Sequence, residues 1–320
     1  MEKTTMIWLI AAASLVVVGL IIFAAVMTVY GWNFNRLDTG KYETNTYEIN
    51  EKFSNISIKT DTADIVFLPS DKGKCSVVCY EKINVRHTVS VTDDTLIIDA
   101  VDTRKWYEYV GINSKSPKIT VYLPESEYAA LVIKESTDDI EIPDSFKFES
   151  IDVSVSTGNV RCYASATETV KIAVSTGNVS VADISTGRLE LSASTGNVTV
   201  TGVSCREDVK IGVTTGKVEL TDIVCQSFTS NGTTGDISLN NVIAVGSLSI
   251  ERGTGNVHFR GADAADIFVR TETGDVEGSI LTDKVFVAKT NAGRVKVPDS
   301  STGGRCEITT YTGNIIITVD

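Results

Sequence analysis

Residues able to do chemistry are few in this 320-residue chain, and they are scattered. The two histidines, His87 and His258, lie far apart, and neither stands in a metal-ligand spacing with a cysteine. Zinc coordination and Ser-His-Asp catalysis therefore lack their usual raw material, and neither a metal nor a cofactor is expected. The six cysteines, Cys75, Cys79, Cys162, Cys205, Cys225 and Cys306, form no CxxC motif. An oxidising compartment would allow them to pair. Acidic residues offer two arrangements. Asp236 and Asp275 occupy equivalent places two repeats apart, about 9 to 10 Å, near the upper limit for an inverting glycosidase pair. Glu272, Asp275 and Glu277 together could hold calcium. Against both, Asn and Asp interchange at corners for conformational reasons, alternating acids are common on a solvated strand, and no second constellation supports them. No catalytic residue is assigned.

One loop offers binding rather than catalysis. Arg104-Lys105-Trp106-Tyr107-Glu108-Tyr109 is the one aromatic cluster on a stretch that reads as a loop. Trp106, Tyr107 and Tyr109 are the candidate partner-binding residues, since exposed rings beside charges suit sugars or proteins. The competing reading is that these rings cover the end of a core.

The elements that would position such residues are unusually regular. From about residue 131 a phrase recurs: Thr157-Gly158-Asn159-Val160, Thr176-Gly177-Asn178-Val179 and Thr195-Gly196-Asn197-Val198 begin it. It continues around Gly216, Gly235, Gly255, Gly274, Gly293 and Gly313, with successive glycines 19 or 20 residues apart. Fixed self-similarity at this period means a solenoid. Apolar residues fall seven and five places before the glycine, as in Val170 and Ile172, and two, four and often seven places after it, as in Val179, Val181 and Ile184. Both runs alternate with period two, so each unit reads as two short strands joined by a corner at the glycine. Glycine supplies the positive φ or close backbone approach of a sharp bend, and Asn or Asp beside it tolerates left-handed geometry. The threonine hydroxyls are expected to bond from coil to coil. These nine glycines are thus a structural turn ladder. Asp138 lies 20 residues before Gly158 with the same apolar neighbours, giving at least ten corners and a stack of roughly 50 Å. Cys205 and Cys225, each nine residues after its glycine, should stack on adjacent coils, either as a disulfide or as a reduced buried ladder. Cys75 and Cys79 share a strand face about 13 Å apart, too far to bond each other. Ile315, Ile316 and Ile317 would form an exposed final edge open to self-association.

Ahead of the repeat, Ile7 to Tyr30 is 24 residues without a charge, about 36 Å as a helix and enough to cross a bilayer. Trp8, Tyr30 and Trp32 stand where interfacial aromatics belong. A cleaved signal peptide usually has a shorter apolar region, so an uncleaved signal-anchor is expected, with the solenoid outside the cell. The organisation expected is a short tail over 1–6, a transmembrane helix over 7–30, a polar linker over 31–46, an N-terminal cap with irregular coils over 47–130, and the regular array over 131–320. The fold class is all-β, a parallel β-solenoid preceded by one transmembrane helix. A formal net charge of -12 argues against nucleic acid and bare anionic membrane as partners.

The Thr-Gly-Asn and Thr-Gly-Asp phrases, Asp61-Thr62-Ala63-Asp64-Ile65-Val66, Ile119-Thr120-Val121-Tyr122-Leu123-Pro124 and the apolar N-terminal helix together resemble a bacterial family known as "putative adhesin", a domain of unknown function. The resemblance covers about residues 50 to 320. It implies a β-strand-repeat domain of an envelope protein, similar to accessory membrane proteins of envelope-stress operons, and it carries no catalytic residues. Lys217, Arg294 and Ala292 depart from the phrase. The function expected is a non-enzymatic scaffold binding an envelope protein or polysaccharide. A self-assembling β-helical polymer is the first alternative and a carbohydrate-active enzyme the second.

Overall fold

The computed structural model describes residues 3–33, 40–71, 73–106 and 115–320. A helix, Lys3–Val29, comes first, uncharged after Lys3 and apolar and long enough to cross a membrane. The described residues after it are mostly β-structure, a parallel β-solenoid of about 10 turns. Pairing between coils is parallel and in register, residue for residue: Ile151 and Val153 stand over Val170 and Ile172, which stand over Leu189 and Leu191. All of these are buried, as are Val179, Val181, Ile184, Val198, Val200 and Val203 from the other side of the corner. Period-two alternation in the sequence thus becomes one continuous apolar column inside the stack.

A coil has three straight runs rather than the two expected. Six residues after the glycine the chain turns again, and Asp183, Asp222 and Asn241 have φ between 54° and 56° while Gly202 and Gly261 have φ of 63° and 62°. In these five coils the second corner is filled by residue types that tolerate left-handed backbone, while Ala164 and Ile280 stand at the same place after Gly158 and Gly274. The apolar residue that follows it, such as Val203 or Ile223, faces the core from the third side.

Neither end of the stack follows chain order. At the N-terminal end, strand Asn55–Thr62 lies between Thr95–Asp102 and Glu127–Thr137, parallel to both. The excursion between them is antiparallel: Cys75–Lys82 pairs with Tyr42–Ile49 on one side and Lys118–Leu123 on the other, while Val85–Thr92 pairs with Thr95–Asp102. This antiparallel layer caps the parallel stack. At the other end, Gly304–Thr312 inserts between Val257–Thr273 and Lys284–Ala292. Strand Ile315–Val319 likewise lies between Val276–Ile280 and Val295–Lys296. The expected free edge at Ile315 to Ile317 is therefore wrong. Ile315 and Ile317 are buried, and the terminal coil of the stack is residues 284–296. The sequence period could not show this, because exchanging two coils leaves the spacing of the phrase intact.

The expected glycine corners are at their places, and the reason for glycine is space. A Cβ on Gly196 would stand 1.8 Å from the carbonyl oxygen of Gly177, and the φ there is 144°. Gly212, in mid-strand with nothing within 4 Å of its Cβ position, has neither constraint. Gly196→Ala is expected to cost at least about 3 kcal/mol, and Gly212→Ala less than about 1 kcal/mol, in urea unfolding of the full chain in detergent.

Candidate binding surface and buried polar sites

At each corner the backbone points its donors both ways along the stack. Gly158 N and Val160 N donate onward to the carbonyls of Thr176 and Asn178, each at 2.9 Å. Asn159 N between them faces back, and only a side chain of the preceding coil reaches it: Asp139 Oδ1 accepts at 2.8 Å. The same link recurs from Asn159 to Asn178, Asn178 to Asn197 and Asn197 to Lys217 at 2.9 to 3.0 Å. It resumes from Asp236 to Asn256, Asn256 to Asp275 and Asp275 to Asn314 at 2.7 to 2.8 Å. Asn or Asp is required because its side chain is short and ends in an oxygen acceptor. The coil-to-coil bonds expected of the threonine hydroxyls are not made among the described residues. That column is exposed, and the residue after the glycine carries the ladder.

This accounts for the acids that the sequence offers for catalysis. Asp236 and Asp275 each give one carboxylate oxygen to a backbone N–H. Glu277 lies 3.2 Å from His258 Nδ1, and Glu272, Asp275 and Glu277, weighed above as a calcium holder, bring no three ligand atoms within 4.8 Å of one another among the described residues. Lys217 interrupts the ladder, leaving no side-chain acceptor at Asp236 N among the described residues. Arg294 stands in the last coil, where its backbone N–H donates to Asn314 Oδ1 at 3.0 Å, and it has no further coil to serve.

The cysteines are all free and buried. Burial pushes the thiols of Cys75, Cys79, Cys162, Cys225 and Cys306 up to about 12, and that of Cys205 upward, so none is a thiolate nucleophile at neutral pH. Of the aromatic loop, Trp106 is 83% exposed and covers no core, while Tyr107 and Tyr109 lie outside the described residues.

Two buried clusters escaped the sequence reading. At the first corner of the array Glu135 faces inward where the next coils carry Val155 and Val174, and its Oε1 accepts from Ala63 N at 3.3 Å. Burial, with Asp138, Asp64 and Asp139 nearby, raises its carboxyl to about 8, and burial raises Asp138 to about 6. In the cap, His87 Nδ1 lies 2.7 Å from Glu81 Oε2 and its Nε2 lies 2.9 Å from Thr60 Oγ1. Cys79 completes the group: no metal-ligand spacing joins it to His87 in the sequence, yet the side-chain ligand atoms of Cys79, Glu81 and His87 lie within 4.8 Å of one another. The tight reversal at Lys82 and Val85 brings them together. Alternation put Cys79 and Glu81 on one strand face, but no spacing rule announces the return of His87.

A groove of about 720 Å³ runs along the flank, at the starts of the long strands. Its floor is Tyr128, Phe148, Ala166 and Thr186, with Ser185 and Arg206 at the rim. Phe53, Tyr128 and Phe148 stack beneath it, with ring centroids 5.8 to 6.0 Å apart.

A family model, Toastrack DUF4097, matches residues 53–318. The chain belongs to the Toastrack DUF4097 family. Solved structures similar to this Toastrack chain include a "putative adhesin" from Parabacteroides merdae, 13% identical, covering 77% of this chain and 98% of that one, with a TM-score of 0.44. Another is a "putative adhesin" from Bacteroides fragilis, 15% identical over 87% and 97% of the two chains, with a TM-score of 0.40. A "putative lipid binding protein" from Parabacteroides distasonis is 18% identical over 87% and 98%, with a TM-score of 0.45. No curated protein matches the chain.

Two measurements check these sites in the Toastrack solenoid. Lys217→Asn restores the missing link to Asp236 N and is expected to stabilise by about 0.5 to 1.5 kcal/mol in urea unfolding. Glu135 keeps its proton when folded up to about pH 8 but loses it near 4.5 when unfolded, so the folded state is favoured at low pH and stability falls as pH rises across that window. Glu135→Gln is expected to flatten the fall, on the order of a few kcal/mol, between pH 5 and 8.

Proposed function

We propose that this chain is a single-pass, membrane-anchored envelope protein without enzymatic activity, whose solenoid lies outside the cytoplasm and serves as a binding surface. The observation that carries the reading is the helix: Thr4–Val29 is apolar, and its most apolar stretch is covered by no part of the chain. Exposed apolar surface of that extent needs lipid around it. The absence of activity rests on the commitment of Asp236 and Asp275 to the corner ladder and on six neutral buried thiols.

The flank groove is the surface we assign to the partner. Its floor joins aromatic rings with small polar residues, and its rim mixes Lys147 and Arg206 with Glu127 and Glu149. Balanced rim charge suits an extended polymer or peptide of low net charge, an envelope polysaccharide or protein.

Alkaline carbonate extraction of cells making the full chain with a C-terminal tag tests the anchor. Retention in the membrane at full-length mass is expected, with the tag cut by protease added outside. A shorter, soluble product would mean that the helix is a cleaved signal. For the groove, Ser185→Trp places a ring on an exposed rim position. It should reduce co-sedimentation of the chain with isolated cell walls roughly tenfold, and unchanged co-sedimentation would remove the groove from the reading.

A further inference from the structure

We propose that Cys79, Glu81 and His87 form a divalent-metal site of the zinc class, buried inside the N-terminal cap. Cys79 and Glu81 point inward from strand Cys75–Lys82, and His87 points inward from Val85–Thr92, its antiparallel neighbour across the turn. Cys79 and Glu81 are fully buried and His87 is 3% exposed. One sulfur, one carboxylate oxygen and one ring nitrogen, all within 4.8 Å of one another, make the mixed set that zinc and cobalt accept and that magnesium and calcium do not.

The groups behind the ligands are those a metal site needs. Ligating imidazoles present their second nitrogen to a hydrogen-bond partner, and ligating carboxylates are themselves held. Here His87 Nε2 lies 2.9 Å from Thr60 Oγ1. Glu81 Oε1 accepts from Asn45 Nδ2 at 2.7 Å, and Oε2 accepts from His87 N at 2.7 Å. Without an ion, Nδ1 and Oε2 share a hydrogen bond of 2.7 Å. Two ligands about 2.0 Å from a tetrahedral ion stand about 3.3 Å apart, so ion entry asks the 2.7 Å pair to open by about 0.6 Å.

Protons and charge balance. The Cys79 thiol proton leaves to solvent as the metal–sulfur bond forms. The Nδ1 proton moves to Nε2, which keeps it and donates a hydrogen bond to Thr60 Oγ1. One thiolate and one carboxylate then neutralise the two charges of the ion, and the cap interior holds no net charge. The order Thr60, His87, Glu81 also matches a nucleophile, base and acid relay, but Thr60 is 3% exposed and no substrate could reach it. An ion captured during folding needs no cleft. It would join the cap hairpin through Asn45 and Thr60 to the two strands that flank it, adding its binding free energy to folding.

The test uses the full chain, produced with cobalt in the growth medium and purified in detergent. One cobalt ion per chain with thiolate-to-cobalt charge-transfer absorption is expected. Cys79→Ser should abolish that absorption, and Cys162→Ser, altering a buried thiol of the repeat, should keep it. If Cys79→Ser does not fold, the wild-type chain decides alone: grown with zinc, it should melt at a higher temperature than after chelator treatment during refolding. A wild-type chain without the absorption, a band that survives Cys79→Ser, or a melting temperature indifferent to zinc overturns the site.

Discussion

Where one coil turns over the next, backbone meets backbone. The carbonyl oxygen of each corner lies 1.8 to 2.1 Å from the point where the next glycine's Cβ would stand, from Gly177 through Gly274. No side chain fits there, so from Gly158 onward the column is glycine. Asp138, with φ of 121°, and Ala63, opposite it in the neighbouring coil, are the non-glycine residues of the column among the described corners. Once the corner is this tight, the following N–H is turned back along the stack, and an Asn or Asp of the coil before must meet it. Glycine fixes how closely coils approach, and the amide ladder fixes their lateral position. The parallel register of every strand between follows from these two.

A stack so built has two ends, each a row of unpaired backbone, and the chain treats both by folding back. The C-terminal strand Ile315–Val319 has neighbours on both sides, so the terminus is held rather than frayed. The edge passes to residues 284–296, which carry Lys289, Arg294 and Lys296. Cations along an edge strand oppose addition of another chain. At the opposite end the antiparallel layer of Tyr42–Ile49 and Cys75–Lys82 replaces the parallel pattern, so it offers no matching surface for another copy of the repeat. Both features weigh against open-ended polymerisation.

The repeat was legible in the sequence because it repeats. Alternation and a fixed period report the same constraint many times, and the inward residues they named, from Ile151 to Val269, are buried. The second corner was missed although Asp183, Gly202, Asp222, Asn241 and Gly261 mark it, because three residue types share that place and only their tolerance of positive φ unites them. The exchange of the last two coils left no trace, since period carries no information about which neighbour a coil chooses. The cap trio was hidden for the opposite reason: Cys79, Glu81 and His87 meet through one hairpin, an event that happens once.

Periodicity also creates a problem that the apolar core cannot solve. Coils that all present Val and Ile at equivalent places stack as well one step out of register, and hydrophobic burial would not resist the slip. Contacts that fit at one step do. Arg252 is buried where other coils carry Val155 or Val213. Its Nη2 donates to Ser230 Oγ at 2.8 Å, and its Nη1 would be 1.6 Å from a Cβ on Gly232. Those three residues fit only one another. Near the C-terminal end, buried Lys284 reaches Asp263 at 2.7 Å, and Arg305 N donates to Asp266 Oδ1 at 2.9 Å across the exchanged coil. Buried ionic groups rarely add net stability, because desolvation offsets the attraction, yet mispairing one leaves a charge alone in the core. Their value in a repeat is therefore the cost of every wrong register, and these departures from the pattern hold each coil to its own neighbour.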